Sequence, residues 1–232
     1  MKEQKMTNQK NKTISRREFM GGAAAAMAFT VIPSHIFAQP PSEKLNVASI
    51  GAGGMGAGNT SACAAAGANI VALCDVDWEK GKEGFSQFPE AKKYKDFRKM
   101  LDNEKNIDAV IVATPDHFHT VAAMAAMRRG KHVYVQKPLT RLVSEARALT
   151  EAARKCKVVT QMGNQGHSGN GVRDICEWIW DGAIGEIREV HAWTNRPIWP
   201  QGIDRPKEVH EIPKTLDWDL WIGPAPMRPY NK

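Results

Sequence analysis

The chain has 232 residues, 42% of them hydrophobic and 25% charged, which is enough apolar material for one full domain and part of another. Its formal net charge is +7, but residues 1–38 hold six Lys/Arg against two Glu, so only +3 falls on the remainder; a dedicated nucleic-acid surface would concentrate its basic charge there instead. The four cysteines, Cys63, Cys74, Cys156 and Cys176, form no C-x-x-C pair, which argues against a zinc ribbon or a thioredoxin-like site and for buried, reduced thiols.

Residues 1–38 read as an export signal. A polar start ends in Ser15-Arg16-Arg17-Glu18-Phe19-Met20, an Ala-rich apolar stretch runs from Gly21 to Ile32, and Pro33 precedes a small-residue site ending at Ala38. The apolar stretch falls short of the ~20 residues needed to span a bilayer. The adjacent arginines followed by Phe19 match a twin-arginine signal, which predicts hand-over to the twin-arginine export machinery and a periplasmic or exported protein. A retained, uncleaved anchor is the alternative. That route carries folded passengers, often with cofactors already loaded.

Residues 39–44 form a Pro-containing linker. Next come an apolar strand at Leu45–Ile50, an Ala-rich helix at Gly54–Ala66 and a second strand at Asn69–Cys74. Helices are predicted near Trp78–Phe88 and Phe97–Leu101. Ala109–Ala113 has strand length, and Val121–Arg129 is helical with Gly130 as its C-terminal cap. Lys131–Val135 reads as a strand, Leu142–Lys155 as a helix and Val158–Thr160 as a strand. This alternation predicts an α/β fold, a doubly wound parallel sheet over residues 45–164, with short apolar strands buried on both faces. Beyond it, Val172–Trp180 has amphipathic spacing and Ile187–Trp193 alternates like a strand. From Arg196 onward the chain is rich in Pro, Trp and Gly. Residues 165–232 thus read as the start of an incomplete α+β second domain, and the whole as the N-terminal portion of a longer protein. Core packing is the expectation for most of Trp178, Trp180, Trp193 and Trp199, with stacking on a sugar ring as the alternative.

Gly51-Ala52-Gly53-Gly54-Met55-Gly56 is a G-x-G-x-x-G loop that directly follows a predicted strand and opens a predicted helix. In that context Gly51 permits the tight turn, Gly53 lets the backbone approach a pyrophosphate and Gly56 lets the helix pack on the strand. The helix N-terminus offers free N–H groups to the phosphates. Asp75 lies 24 residues beyond Gly51 at the end of the second strand, where a carboxylate can accept both adenosine ribose hydroxyls and repel an added phosphate. Neither Arg nor Ser follows it, so NAD is expected over NADP. Asp77 is expected to cap the following helix.

In doubly wound sheets, ligands sit beyond the carboxyl ends of the strands. Three segments bring polar residues there: Thr114-Pro115-Asp116-His117-Phe118-His119, Gln136-Lys137-Pro138, and Gln161-Met162-Gly163-Asn164-Gln165-Gly166-His167. His117 and His119 lack the further convergent ligands a metal site needs, so no metal is expected. By its residues alone, Lys137 is a catalytic cation or a surface lysine beside a strand-ending proline. In their order and spacing these motifs resemble the Gfo/Idh/MocA oxidoreductases, over about Leu45–Trp193. The leader, Met162–Ser168 and the Trp218–Pro226 stretch are similar to a secreted bacterial branch that acts on sugars.

The resemblance implies an NAD-dependent enzyme that oxidises a secondary hydroxyl of a sugar or glycoside. Lys137 matches the family's lysine beside the reacting oxygen and nicotinamide ribose. Gln136 stands where most members have Glu, and so supplies no charge. Pro138 holds the turn, Thr114 and Pro115 match the segment under the nicotinamide, and His119 matches the histidine after it. Gly51, Gly53, Gly54, Met55, Gly56, Asp75, Thr114, Pro115, His119, Gln136, Lys137 and Pro138 are thus expected at the cofactor, and Asn164, Gln165 and His167 at the sugar. The family's acid/base residue and oligomer-forming sheet would belong to the rest of the second domain, and the full-length form is expected to be a homo-oligomer. Two alternatives stand beside this: a glycosidase that uses NAD transiently through oxidation and elimination, and a catalytically incomplete NAD-binding remnant.

Overall fold

The computed structural model describes residues 44–196 and 202–232; the expected leader, the expected linker up to Glu43, and Trp199 lie outside the described residues. Six parallel strands form one sheet: β1 (Asn46–Ile50), β2 (Asn69–Cys74), β3 (Lys92–Tyr94), β4 (Ala109–Val112), β5 (His132–Gln136) and β6 (Thr160–Gly163), in the order β3-β2-β1-β4-β5-β6. The helices between them are α1 (Met55–Ala65), α2 (Lys82–Gln87), α3 (Phe97–Asn103), α4 (His119–Met127) and α5 (Val143–Cys156), followed by α6 (Asn170–Trp180) and α7 (Trp218–Ile222). The order reverses between β1 and β4, where such sheets open a crevice for a dinucleotide. The apolar runs form the core, with Ala48, Ile50, Val110, Val112, Val133 and Val135 buried beneath the helices.

Several elements depart from the sequence expectation for local reasons. The helix expected from Trp78 starts only at Lys82, because Trp78–Gly81 is a turn: Asp77 Oδ1 accepts the Glu79 N–H at 3.0 Å and its carbonyl accepts the Gly81 N–H at 2.8 Å. Asp77 therefore caps a turn, not the helix. Helix α4 begins two residues early, at His119. The last strand lies later than Val158–Thr160. Lys157 ends α5 in the left-handed conformation (φ 55°), and the Val158 N–H still bonds Ala153, so the chain reaches the sheet only at Thr160. Strand β3 carries no apolar run and so has no periodic signal in the sequence; it is a three-residue edge strand, where charge suits an unpaired side.

Ile187–Trp193 forms no strand. The segment is exposed, and with no neighbouring strand among the described residues it has no ladder to join. Trp178, Trp180 and Trp193 are 63%, 81% and 87% exposed, which overturns the expectation of core packing for them. Of the four thiols, all free, only Cys74 is fully buried; burial, and then the nearby Asp75 and Asp96, push its pKa up. Residues 215–231, which carried no periodic signal, return to the sheet. Leu216 bridges antiparallel to Asp77, the Asp217 N–H bonds the Val76 carbonyl at 2.9 Å, and Asp217 Oδ1 caps α7 through the Leu220 N–H.

Candidate functional site

The glycine loop crosses the carboxyl end of β1, and close approach dictates its residues. Gly51 has φ +91°, and a Cβ there would lie 2.5 Å from the Ala113 carbonyl oxygen. A Cβ at Gly56 would lie 2.0 Å from the Gly51 carbonyl oxygen, so this helix start fits against the loop only as glycine. Gly53 has a role the sequence did not reveal: a Cβ would lie 2.1 Å from the Lys80 carbonyl oxygen, so the Trp78–Gly81 turn packs directly on the loop. Gly54 turns with φ +50°, and Met55, largely exposed, opens α1.

Asp75 sits half-buried at the end of β2. Its Oδ2 accepts the Ala52 N–H at 2.9 Å and its Oδ1 accepts the Asp77 N–H at 3.0 Å. Burial raises its pKa above the ordinary carboxylate value, and the backbone donors from Asp77, Ala52 and Gly53 oppose that rise. The carboxylate thus braces the glycine loop as well as facing the crevice. A cavity of about 410 Å³ opens over the ends of β1, β2 and β4, with Gly51, Asp75, Thr114 and Pro115 in its wall. Thr114 Oγ1 is buried there with no hydrogen-bond partner among the described residues. Such a hydroxyl calls for a ligand acceptor or donor, because a buried polar group left unpaired costs ~1–3 kcal/mol. The orphan hydroxyl, the loop of bare backbone and the carboxylate beside them all fit a dinucleotide. Lys80, Lys95 and Arg228 also reach this wall, so the fold brings basic side chains to the cavity that the immediate sequence neighbours of Asp75 do not supply.

Lys137 lies across the switch point, just past β5, in a cis peptide bond to Pro138. It is exposed and makes no hydrogen bond or ion pair with the described residues. A second cavity, of about 580 Å³, is lined by Lys137 with Gly163, Asn164, Gln165, Gly166 and His167. The structure therefore gathers the residues expected at the sugar around the residue expected to act on it. Gln136 is buried, and its Oε1 accepts from Asn59 Nδ2 at 3.2 Å and from Gln165 Nε2 at 3.0 Å; Gln165 Nε2 also bonds Asn59 Oδ1 at 3.0 Å. Gln165 is thus held in an amide cluster that fixes the segment after β6 to α1. Asn59 was missed. Its signal was a polar side chain in an Ala-rich helix, three residues after Gly56 and so on the same face.

His119 is fully buried. Its Nδ1 lies 2.6 Å from the Pro138 carbonyl oxygen and its Nε2 lies 2.8 Å from the Thr114 carbonyl oxygen. Both ring nitrogens are occupied by backbone, so the histidine ties the β4 loop to the Lys137 turn and lines neither cavity. His117 Nε2 lies 3.0 Å from the Trp221 carbonyl oxygen. Among the described residues no group of three or more His, Cys, Asp or Glu side chains could hold a metal ion.

Comparison with known proteins agrees with this geometry. Residues 45–164 match the Gfo/Idh/MocA family, described as an oxidoreductase family with an NAD-binding Rossmann fold. A levoglucosan dehydrogenase from Pseudarthrobacter phenanthrenivorans is 31% identical over 154 residues, covering 62% of this chain and 39% of the relative. A glycosyl hydrolase family 109 protein from Saccharopolyspora erythraea is 32% identical over 156 residues, covering 62% of this chain and 34% of the relative. The crystal structure of a myo-inositol 2-dehydrogenase from Lactobacillus plantarum superposes with a TM-score of 0.57 at 25% identity, over 62% of this chain and 43% of that one. The chain spans about two fifths of the length of the curated relatives it matches. It belongs to the Gfo/Idh/MocA oxidoreductase family, and residues 45–164 are its NAD-binding Rossmann domain.

Proposed function

We propose that this member of the Gfo/Idh/MocA family is an NAD-dependent dehydrogenase that oxidises a secondary hydroxyl of a sugar or glycoside. The observation that carries this reading is the meeting of Lys137 with Asn164, Gln165 and His167 around one cavity, across the switch point from the dinucleotide crevice. Bound NAD would supply the hydride acceptor. The Lys137 ammonium would donate a hydrogen bond to the reacting oxygen and stabilise the negative charge that develops there as hydride leaves its carbon. Because Gln136 is neutral, that charge stabilisation would rest on Lys137 without a carboxylate at its side. Asn164 and His167 offer donors and acceptors to neighbouring hydroxyls, which suits a polyhydroxylated ring. A levoglucosan dehydrogenase and a myo-inositol 2-dehydrogenase among the relatives support the substrate class.

The likeness to a glycosyl hydrolase family 109 protein favours a second reading, in which oxidation is transient and leads to elimination of an aglycone. Incubating the protein with NAD and a panel of cyclic polyols, sugars and aryl glycosides separates the two. The dehydrogenase reading expects NADH absorbance that grows with substrate consumed. Released aglycone without lasting NADH replaces it with the glycosidase, and NAD uptake with neither product leaves a cofactor-binding remnant. The Arg16-Arg17-Phe19 leader supports export by the twin-arginine route to the periplasm, with NAD loaded before crossing; the full-length form is proposed to be a homo-oligomer.

A further inference from the structure

Residues 215–231 do more than rest on the domain. They wall the cavity that holds Asp75 and the orphaned Thr114 hydroxyl: Leu216, Trp218, Trp221 and Tyr230 line it opposite the strand ends. Hydrogen bonds fix the segment at both sides of the crevice, backbone to backbone at β2 and through the His117 side chain beyond β4. The Trp78 N–H bonds the Thr215 carbonyl at 3.2 Å, the Asp217 N–H bonds Val76, and the Trp221 carbonyl meets His117 Nε2. Gly223 sits so close to Phe118 that a Cβ would lie 2.2 Å from the ring.

The aromatic rings are ordered against one another. Trp218 and Trp221 stack with centroids 4.8 Å apart and planes 15° from parallel, Tyr230 meets Trp218 edge-on at 5.1 Å, and His117 lies 5.2 Å from Trp221. Trp218 Nε1 donates to the Arg228 carbonyl at 2.8 Å, which satisfies its polar edge and leaves ring surface for the cavity.

We propose that residues 215–231 are part of the NAD site, forming its adenine-side wall with Trp218 and Trp221 as the surface against which the base packs. This rests on the NAD reading of the crevice. A carboxylate placed for the adenosine ribose puts the attached base in the same cavity, and the wall met there is aromatic and apolar. Every base has a π-face, and packing it on an indole also removes apolar surface from water. The cofactor would then be held between the strand ends and a segment more than a hundred residues away in sequence from Asp75.

Titration of the whole chain with NAD and with AMP, by calorimetry, tests this. Trp221→Ala keeps the backbone carbonyl that His117 uses and is expected to weaken both ligands by roughly tenfold, the scale of base–aromatic stacking. Trp221→Phe is expected to retain most of the affinity. Unchanged affinity in Trp221→Ala would overturn the proposal, as would tighter binding, which would mean that the segment occupies the place of the base. Hydrogen exchange on the unmutated protein gives a check that needs no variant. NAD is expected to slow amide exchange in residues 216–223, and protection confined to the strand ends and glycine loop would overturn the wall. Wild-type protein that takes up no NAD would sink the cofactor reading and the wall with it, a result distinct from a wild type that binds and a variant that binds equally well.

Discussion

On the β2–β1 side of the switch point the site is braced from several directions. Asp75 accepts two backbone N–H groups, Gly53 is packed under Lys80, Gly56 under Gly51, and residues 215–231 close the far wall. On the β5–β6 side Lys137 and His167 are exposed around a wider cavity, and the best-held element is the Asn59–Gln136–Gln165 amide cluster behind them. His119 connects the two sides by bonding Thr114 on one and Pro138 on the other. The difference fits the roles proposed for the two halves. A cofactor site repays rigidity, because pre-formed geometry lowers the cost of binding. The half proposed to meet the substrate presents donors that would gain partners when substrate arrives.

The contrast can be broken most sharply at Lys137. In protein that oxidises its sugar, Lys137→Ala is expected to lower kcat by about 10²–10³-fold, the scale of removing one preorganised donor from a developing oxyanion. NAD affinity should change little; comparable losses in both would make Lys137 a cofactor contact and blur the two halves. Asp75→Ala is expected to do the reverse, weakening NAD by about 10–100-fold, as for hydrogen bonds to a charged group, and narrowing the preference over NADP. Unchanged affinity for both dinucleotides would remove Asp75 from the site.

The same residue sets a pH dependence. Burial raises the Asp75 pKa, so the carboxylate proposed to accept the ribose hydroxyls is lost on acidification before an ordinary aspartate would be. NAD affinity should fall as pH drops through that raised value. The contribution to stability has the opposite sign. The folded protein without NAD holds this proton more tightly than the unfolded chain, so stability declines as pH rises from the ordinary aspartate value through the raised one. Calorimetric titrations and thermal melts across the acidic range check both, and Asp75→Asn should flatten both trends.

Two glycines of α1 give smaller effects of opposite sign. Gly56→Ala forces a Cβ against the Gly51 carbonyl and should cost about 1–3 kcal/mol in a denaturant melt, with weaker NAD binding as the loop shifts. Gly58, two residues on, has nothing within 4 Å of an added Cβ, so Gly58→Ala should stabilise the helix by about 0.5–1 kcal/mol and leave NAD binding as it was.

The sequence read most clearly where the chemistry is local. The strand Asn69–Cys74 matched to the residue, and β1, β4 and β5 fell within one residue of their predicted ends, because a strand buried on both faces needs an unbroken apolar run. The glycine loop and the position of Asp75 were legible because a tight turn and a carboxylate at a strand end each require particular residues at particular offsets, whereas Lys137 stood out only through the family resemblance of its Gln-Lys-Pro motif. The same logic failed for Ile187–Trp193, whose alternation has no partner strand among the described residues, and for β3, whose Lys-Lys-Tyr carries no apolar pattern.

By itself, then, the sequence determined the parallel sheet, the dinucleotide loop and the residues aimed at its carboxyl edge, since each is encoded within a stretch of some twenty residues. Tertiary structure alone decided which of those residues meet. It withdrew His119 into a clasp between two loops, joined Asn59 to Gln136 and Gln165, and brought Trp218 and Trp221 over the crevice that Asp75 opens. Such contacts join residues far apart in the chain, and no periodicity or local motif records them: they exist only because packing the helices on the sheet brings its strand ends to one edge.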